Sequence, residues 1–132
     1  MVTLERILMP KRHGIRTLIW GSCILAAFIT SHTPPPAKLV HPLINDKLLH
    51  FLGFTLMGVL TVWRLGGDPR RLGIRILMFW YLGLVAYGTI DETTQPFFQR
   101  DCEFLDWAAD CGGGAFGMTL GVLALRFPLL GS

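Results

Sequence analysis

Charge and cysteine are both scarce in this sequence of 132 residues. Charged residues make up 16% of the chain and hydrophobic residues 52%, and the mean hydropathy is +0.49. An ordinary soluble domain carries about 25% charged residues, so the composition excludes that class and indicates a membrane protein. The three cysteines make no paired framework and no Cys-x-x-Cys. Cys102 and Cys111 could pair in an oxidising compartment, but inert buried thiols are the preferred interpretation.

Motifs of the common enzyme classes are also missing. The sequence has no Ser-His-Asp order, no phosphate-cradling loop and no zinc-ligand spacing, so it indicates no covalent nucleophile. The net charge of +3 comes from basic residues dispersed among apolar runs. This dispersal is typical of the flanks of membrane segments rather than of a phosphate-binding face. We therefore expect no nucleic-acid partner.

Four apolar stretches are separated by turn and loop signals. They cover residues 15–31, 48–63, 73–90 and 105–127, and their separators are a Pro-rich turn (33–36), an Arg-rich link (64–71) and an acidic stretch (91–103). Lipid offers the backbone no hydrogen bonds, so spans without strand-like alternation are predicted to be helical. The sequence predicts an all-α integral membrane bundle of four transmembrane helices. A cytoplasmic N-terminal segment, 1–14, precedes one transmembrane domain, 15–127.

The first stretch has a second interpretation. Lys11-Arg12 before an apolar run is also typical of a signal peptide. No small-x-small cleavage site follows it, and residues 29–32 lead directly into three prolines. An uncleaved membrane anchor is therefore the preferred interpretation.

The basic residues predict the orientation of the bundle. If the N-terminus is cytoplasmic, nine of the twelve Lys and Arg residues lie on the cytoplasmic side, and Lys38, Lys47 and Arg100 lie outside. The positive-inside rule therefore predicts an N-in, C-in topology. The acidic stretch then lies on the outer side.

Polar residues on three spans are predicted to lie at one level of the membrane. About 20 helical residues cross the hydrocarbon core, and we counted that distance from the cytoplasmic arginine of each span. The count reaches the same outer edge on all three, at Asp46 and His50, at Asp91, Glu92 and Gln95, and at Asp106 and Asp110. Ionisable groups within reach of lipid are rare and usually face a protein interior or a watery cavity.

Helical spacing indicates which face these residues share. Asp106 and Asp110 are four residues apart, so they lie on one face of the fourth span. The same face continues through Gly113, Gly117 and Gly121, a doubled G-x-x-x-G that lets helix backbones approach closely in lipid. Asp106 and Asp110 are therefore expected to face the interior of the bundle.

Three motifs in this order resemble the VanZ family of small bacterial membrane proteins. They are Asp46-Lys47-x-x-His50-Phe51, then Tyr87-Gly88-x-x-Asp91-Glu92-x-x-Gln95, then Arg100 followed by Asp106 and Asp110-x-x-Gly113. The resemblance covers roughly residues 15–126. It implies a multi-pass protein of the bacterial inner (plasma) membrane, in the cell envelope, and a role in resistance to the glycopeptide antibiotic teicoplanin. The chain departs from the family at Asp110, where the family usually has Asn, and it lacks the usual Pro-Gly before Arg100.

The polar cluster has a functional interpretation. His50, Asp91 and Glu92 are candidate catalytic residues, because imidazole titrates near neutral pH and paired carboxylates suit proton transfer. The candidate ligand-binding residues are Asp46, Lys47, Gln95, Arg100, Asp106 and Asp110. Lys47 and Arg100 would hold an anionic group. The expected partner is the headgroup of a membrane lipid or of a lipid-linked cell-wall intermediate.

A structural interpretation stays open beside it. In that case His50 is a buried histidine bonded to a neighbouring helix, Glu92 is a solvated helix end, and Arg100 pairs with Asp106. The cluster would then serve helix packing or assembly, and the protein would not be an enzyme. The acids would also suit magnesium or manganese, but a salt-bridged network without metal is more economical, so no metal is predicted. The sequence names no cofactor and no oligomeric state.

Overall fold

The computed structural model describes residues 4–33, 46–66 and 72–127, with the backbone alone for residues 4–12. These parts contain helices α1 (Leu4–Ser31), α2 (Asp46–Leu65), α3 (Ile74–Thr94) and α4 (Phe104–Arg126), and a short 3-10 helix, Gln95–Phe98, joins α3 to α4. No strand occurs within the described ranges, so the predicted all-α, four-helix fold is confirmed. The predicted Pro-rich turn after Thr33 and most of the Arg-rich link lie outside the described residues.

All four helices are long and apolar enough to cross a membrane. Their candidate spans are His13–Ser31, Asp46–Leu65, Ile74–Phe98 and Phe104–Arg126. Large apolar side chains stay exposed on the outside of the bundle, among them Leu18 and Phe79 at 70% each. So much exposed apolar surface suits contact with lipid rather than with water. The chain is a multi-pass membrane protein, and the side that its N-terminus faces stays a prediction.

Close backbone packing joins α2 to α4. A Cβ atom at Gly113 would overlap the carbonyl oxygen of Phe51, and one at Gly117 would overlap that of Thr55. One turn further, a Cβ atom at Gly121 would lie 2.8 Å from the Cβ of Val62. The glycines therefore allow the two helices to approach more closely than any side chain would permit. This packing turns the face that carries Asp106 and Asp110 towards α2.

An aromatic cluster joins the first three helices at the end of the bundle where α2 finishes. The guanidinium carbon of Arg64 lies 4.8 Å from the ring centroids of both Trp20 and Trp80. The two indole rings meet edge to face at 5.7 Å. The indole N–H of Trp20 donates a 2.9 Å hydrogen bond to the hydroxyl of Thr61, which is fully buried. Cation–π contacts and a partly buried hydrogen bond thus hold α1 against α2 and α3.

The three cysteines are free. Cys102 is exposed, and Cys23 and Cys111 are partly buried. The expectation of buried thiols is therefore wrong for Cys102. This residue lies in the short segment just before α4, where no helix covers it.

Candidate functional site

Polar side chains from all four helices meet at the other end of the bundle, which we call the polar end. It is formed by the last residues of α1 and α3 and by the first turns of α2 and α4. Five of its residues are at most 2% exposed: Asp91, Glu92, Gln95, Asp106 and Asp110. Buried charged groups are stable only when hydrogen-bonded or paired, so their partners define what the site can do.

His50 lies between two buried carboxylates from different helices. Its Nδ1 atom is 2.9 Å from Oδ1 of Asp110 on α4 and 3.7 Å from Oε1 of Glu92 on α3. Because carboxylates accept hydrogen bonds, Nδ1 carries the hydrogen and donates it to Asp110. The His50 side chain is only 8% exposed. His50 therefore ties α2 to α3 and α4 through a single imidazole.

Glu92 is a buried member of the site, so its interpretation as a solvated helix end is wrong. It is 2% exposed. The backbone N–H of Glu103, just before α4, donates a 3.2 Å hydrogen bond to Glu92 Oε2. The chain entering α4 thus covers the end of α3 and shields this carboxylate from solvent. Helix α3 also continues through residues 91–94, which were predicted to belong to the acidic stretch between the third and fourth spans.

Gln95 connects the two neighbouring acids of α3. Its side-chain amide nitrogen donates to Glu92 Oε1 at 3.0 Å and, over a longer 3.5 Å, to Asp91 Oδ2. An amide nitrogen carries two hydrogens, so it can serve both carboxylates. Gln95 thus links Asp91 and Glu92, although the two acids contact different helices.

Asp91 faces α1, through residues that the sequence analysis did not identify as part of the site. The hydroxyl of Ser31 donates a 2.7 Å hydrogen bond to Asp91 Oδ1. His32 Nδ1 lies 3.6 Å from the same oxygen. Asp91 therefore contacts His32, whereas His50 contacts Glu92. In the described ranges, the polar end therefore contains two contacts between a histidine and a carboxylate, of which the contact of His50 with Asp110 is a hydrogen bond.

His32 is fixed by contacts on both sides of its ring. Nδ1 lies 2.8 Å from the carbonyl oxygen of Phe28, which can only accept, and Nε2 lies 2.7 Å from the hydroxyl of Thr94 on α3. The ring also stacks on Phe28 and meets Phe98 edge to face. A count of about 20 residues from Lys11-Arg12 reaches Ser31-His32. The same count that located the other polar residues, applied to the first span, could therefore have found this pair.

Two groups of ion pairs lie nearer to solvent. Lys47 Nζ is 2.6 Å from Glu103 Oε2 and 3.2 Å from Asp106 Oδ1, the second an ion pair without hydrogen-bond geometry. Arg100 Nη2 donates to Asp46 Oδ2 at 3.0 Å. The expected pairing of Arg100 with Asp106 is therefore replaced by a pairing with Asp46. Lys47 is the cation that contacts Asp106.

A left-handed residue explains where Arg100 lies. Gln99 has φ 61° and ψ 35°, a conformation that a residue other than glycine rarely adopts. It ends the 3-10 helix Gln95–Phe98, and the N–H of Arg100 then donates to the carbonyl oxygen of Gln95 at 3.3 Å. This reversal of the chain brings the Arg100 side chain to the start of α2. The spacing of residues along α3 and α4 does not reveal this position of Arg100.

A cavity of about 290 Å³ opens between α1 and α2 and reaches α3. Polar residues line one part of it, and apolar residues line the rest. The polar part contains Thr30, Ser31, Asp46, His50, Tyr87, Asp91 and Arg100, and the apolar part contains Ala27, Leu49, Gly53, Phe54 and Met57. From Asp46 to Met57 the lining extends about 16 Å along the axis of α2, at 1.5 Å per residue. The cavity therefore runs from the polar end into the depth of the bundle.

The groups around the cavity define its chemical capacity. The hydrogen-bonded pair of His50 and Asp110 can accept and donate a proton, and the guanidinium of Arg100 can bind a phosphate or carboxylate group. Comparisons of this chain with protein-family models, with curated proteins and with solved structures find no match.

Proposed function

We propose that the chain is a VanZ-like, multi-pass protein of the bacterial inner membrane whose polar end binds an envelope lipid or a lipid-linked cell-wall intermediate. The cavity between α1 and α2 is the observation that carries this proposal. It places Arg100, His50 and Asp91 beside apolar residues of the bundle. A lipid has the same two parts, a charged headgroup and a hydrocarbon chain. In the setting that the sequence resemblance implies, this binding would alter the cell surface that teicoplanin-like antibiotics recognise.

Arg100 is the residue best placed to bind an anionic headgroup. Its partner Asp46 has a side chain that is 48% exposed, whereas the Arg100 side chain is 16% exposed. Water can solvate the Asp46 carboxylate when it leaves the pair, so an incoming phosphate can replace it on the guanidinium. A guanidinium offers two parallel N–H donors to such a group. Lys47 is already engaged with Glu103 and Asp106, so it supports this role less directly.

His50 and Asp91 are the candidate proton-transfer groups that line the cavity. Glu92 does not belong to the lining, but it lies 3.7 Å from His50 Nδ1. It would therefore act on a bound headgroup through His50. The proposal concerns binding, and it holds with or without chemical turnover.

A structural role is the second candidate function. It is favoured by the way the polar contacts join helices: Ser31 to Asp91 links α1 to α3, and His50 to Asp110 links α2 to α4. Interhelical hydrogen bonds of this kind stabilise helix association within membranes. In that case the cluster holds the bundle together and binds no ligand.

Lipid mass spectrometry on the purified protein separates these two functions. We expect a phosphate-bearing lipid to remain with the native chain through size-exclusion chromatography in mild detergent. Arg100→Gln should lower its occupancy roughly tenfold or more, since a hydrogen bond to a charged group contributes about 1.5–3 kcal/mol. Arg75→Gln is the matched control, because Arg75 is exposed in the first turn of α3, far from the polar end.

Two further variants test the structural alternative. His50→Gln and Asp91→Asn keep the size of each side chain but remove its ability to ionise. If both variants reach the membrane in normal yield and lose the lipid, the structural role fails as an explanation. If the native chain retains no lipid, or if every variant retains as much as the native chain does, the lipid-binding proposal is wrong.

A further inference from the structure

Three potential metal ligands from three helices converge at the buried side of the polar end. They are His50 of α2, Glu92 of α3 and Asp110 of α4, and one ligand atom from each lies within 4.8 Å of the other two. A second such set, Asp46, His50 and Asp106, shares His50. Lys47 and Arg100 already supply positive charge to the acids of that second set. The inner set is therefore the one whose charge needs a further partner.

Asp110 supplies an independent reason to expect a ligand here. Its side chain is 0% exposed, and Oδ1 accepts the hydrogen of His50 Nδ1. Its second oxygen, Oδ2, has no hydrogen-bond partner among the described residues. A buried carboxylate oxygen without a donor is strongly disfavoured, and a bound ion or water is one way in which native proteins satisfy such an atom. Oδ2 lies 3.3 Å from the position that a Cβ atom on Gly88 of α3 would take.

The charges of the described residues at the polar end do not balance if every carboxylate is ionised. Among the described residues, its permanent cations are Lys47 and Arg100, and both are paired with acids nearer to solvent. His32 contacts Asp91, which leaves the single imidazole of His50 to serve both Glu92 and Asp110. Even with His32 and His50 both charged, the described part of the chain sets four positive groups against six carboxylates, namely Asp46, Asp91, Glu92, Glu103, Asp106 and Asp110. A divalent cation that displaces the proton of a charged His50 would reduce this excess of negative charge from two to one.

The spacing of the inner set suits a shared ion. Ligands about 2.1 Å from one metal lie about 3.0 Å apart along the edge of an octahedron. The observed separations from His50 Nδ1 are 2.9 Å to Asp110 Oδ1 and 3.7 Å to Glu92 Oε1. Glu92 is also oriented by Gln95 and by the N–H of Glu103, as the carboxylate ligands of metal sites commonly are. Small side-chain shifts would complete the site.

We propose that His50, Glu92 and Asp110 bind one divalent cation, of the kind that accepts both imidazole and carboxylate ligands, such as Mn²⁺ or Zn²⁺. These ligand types exclude neither ion. The cation takes the place of the hydrogen on His50 Nδ1 and neutralises the two buried carboxylates. Because His50 also lines the cavity, a cation bound to His50 lies beside the cavity. There it would offset the negative charge that otherwise opposes an anionic headgroup, a role that rests on the proposed function.

A titration with the metal alone tests the site without any lipid. The purified, chelator-treated protein in detergent is titrated with Mn²⁺, and the free ion is measured by electron paramagnetic resonance. We expect one Mn²⁺ per native chain, displaced by Zn²⁺. Asp110→Asn and Glu92→Gln should each weaken binding at least tenfold. Asp101→Asn, which removes an exposed carboxylate before α4, should bind as the native chain does.

Each outcome of this titration decides the proposal. If the native chain binds no Mn²⁺, or no more tightly than Asp110→Asn and Glu92→Gln do, the cation site does not exist. If Asp110→Asn does not fold, the native titration and Glu92→Gln still give the answer. The lipid measurement is separate: Mn²⁺ binding without retained lipid would support the cation site and contradict the proposed function. If lipid is retained through Arg100 but no Mn²⁺ binds, the result would support the proposed function and contradict the cation site.

Discussion

Gly117 on α4 lies directly against the backbone of Thr55 on α2, and a Cβ atom there would overlap the Thr55 carbonyl oxygen. The contact is with rigid backbone rather than with a flexible side chain, so a substitution can be accommodated only by moving the helices apart. We expect Gly117→Ala to lower the free energy of unfolding by about 1–3 kcal/mol, the usual range for overpacking a tight core. Thermal unfolding in detergent, followed by tryptophan fluorescence, measures the change.

Gly112 provides the matched control on the same helix. It is exposed, and an added Cβ would lie 3.8 Å from the ring of Phe51, an ordinary van der Waals distance. Gly112→Ala should therefore leave stability unchanged or raise it slightly, since alanine favours a helix more than glycine does. Equal stability of the two alanine variants would show that α2 and α4 are not packed as closely as the structure indicates.

The contact of Arg64 with Trp20 and Trp80 makes a second prediction, at the end of the bundle opposite to the polar end. Arg64→Gln removes two cation–π contacts, each about 0.5–1 kcal/mol, so we expect a loss of stability of about 1–2 kcal/mol. The tryptophan emission should change as well, because two of the four tryptophans lose a charged neighbour. Arg75→Gln, on the exposed face of α3, should change neither quantity. An unfolding temperature equal to that of the native chain would contradict the contribution of Arg64.

The height of each polar residue along its helix could be derived from the sequence. A helix rises 1.5 Å per residue whatever its neighbours are, so a count from the arginine at one end locates His50, Asp91 and Asp110 near the other. The glycines of α4 could also be placed on one face by their spacing alone. Both inferences depend on the local geometry of a helix, which neighbouring helices barely alter.

The partner of each polar residue could not be derived in this way. The contact of Asp91 with His32 depends on where the end of α1 docks, which the spacing within α3 does not reveal. The pair between Arg100 and Asp46 depends on the left-handed conformation of Gln99. Glu92 is buried because the chain before α4 passes over it. The rotation of each helix and the path of each connection depend on tertiary packing. The partners of these residues could therefore be identified only in the structure.

The two adjacent acids of α3 should have separable functions, because they face different histidines. Asp91 lines the cavity and contacts Ser31 and His32, whereas Glu92 lies by His50. We expect Asp91→Asn to reduce the retained lipid while Mn²⁺ binding stays within about twofold of the native value. Glu92→Gln should weaken Mn²⁺ binding at least tenfold. Mass spectrometry and the Mn²⁺ titration are run on the same preparations.

Matching losses in both variants would contradict this division. They would mean that the two acids act as one network, coupled through the amide of Gln95, which contacts both. Gln95→Glu is then the informative variant, because it removes the shared donor.

Cys102 offers a test of the predicted orientation that uses the native chain. It is exposed in the segment before α4, while Cys23 and Cys111 are partly buried within spans. An exposed thiol reacts with a maleimide far faster than a buried one. The N-in, C-in topology places Cys102 on the outer side of the membrane. We therefore expect a membrane-impermeant maleimide to label the chain in intact spheroplasts, and Cys102→Ser to abolish that labelling. If Cys102 is labelled only after the cells are lysed, the predicted orientation is wrong. The polar end and its cavity would then lie on the cytoplasmic side.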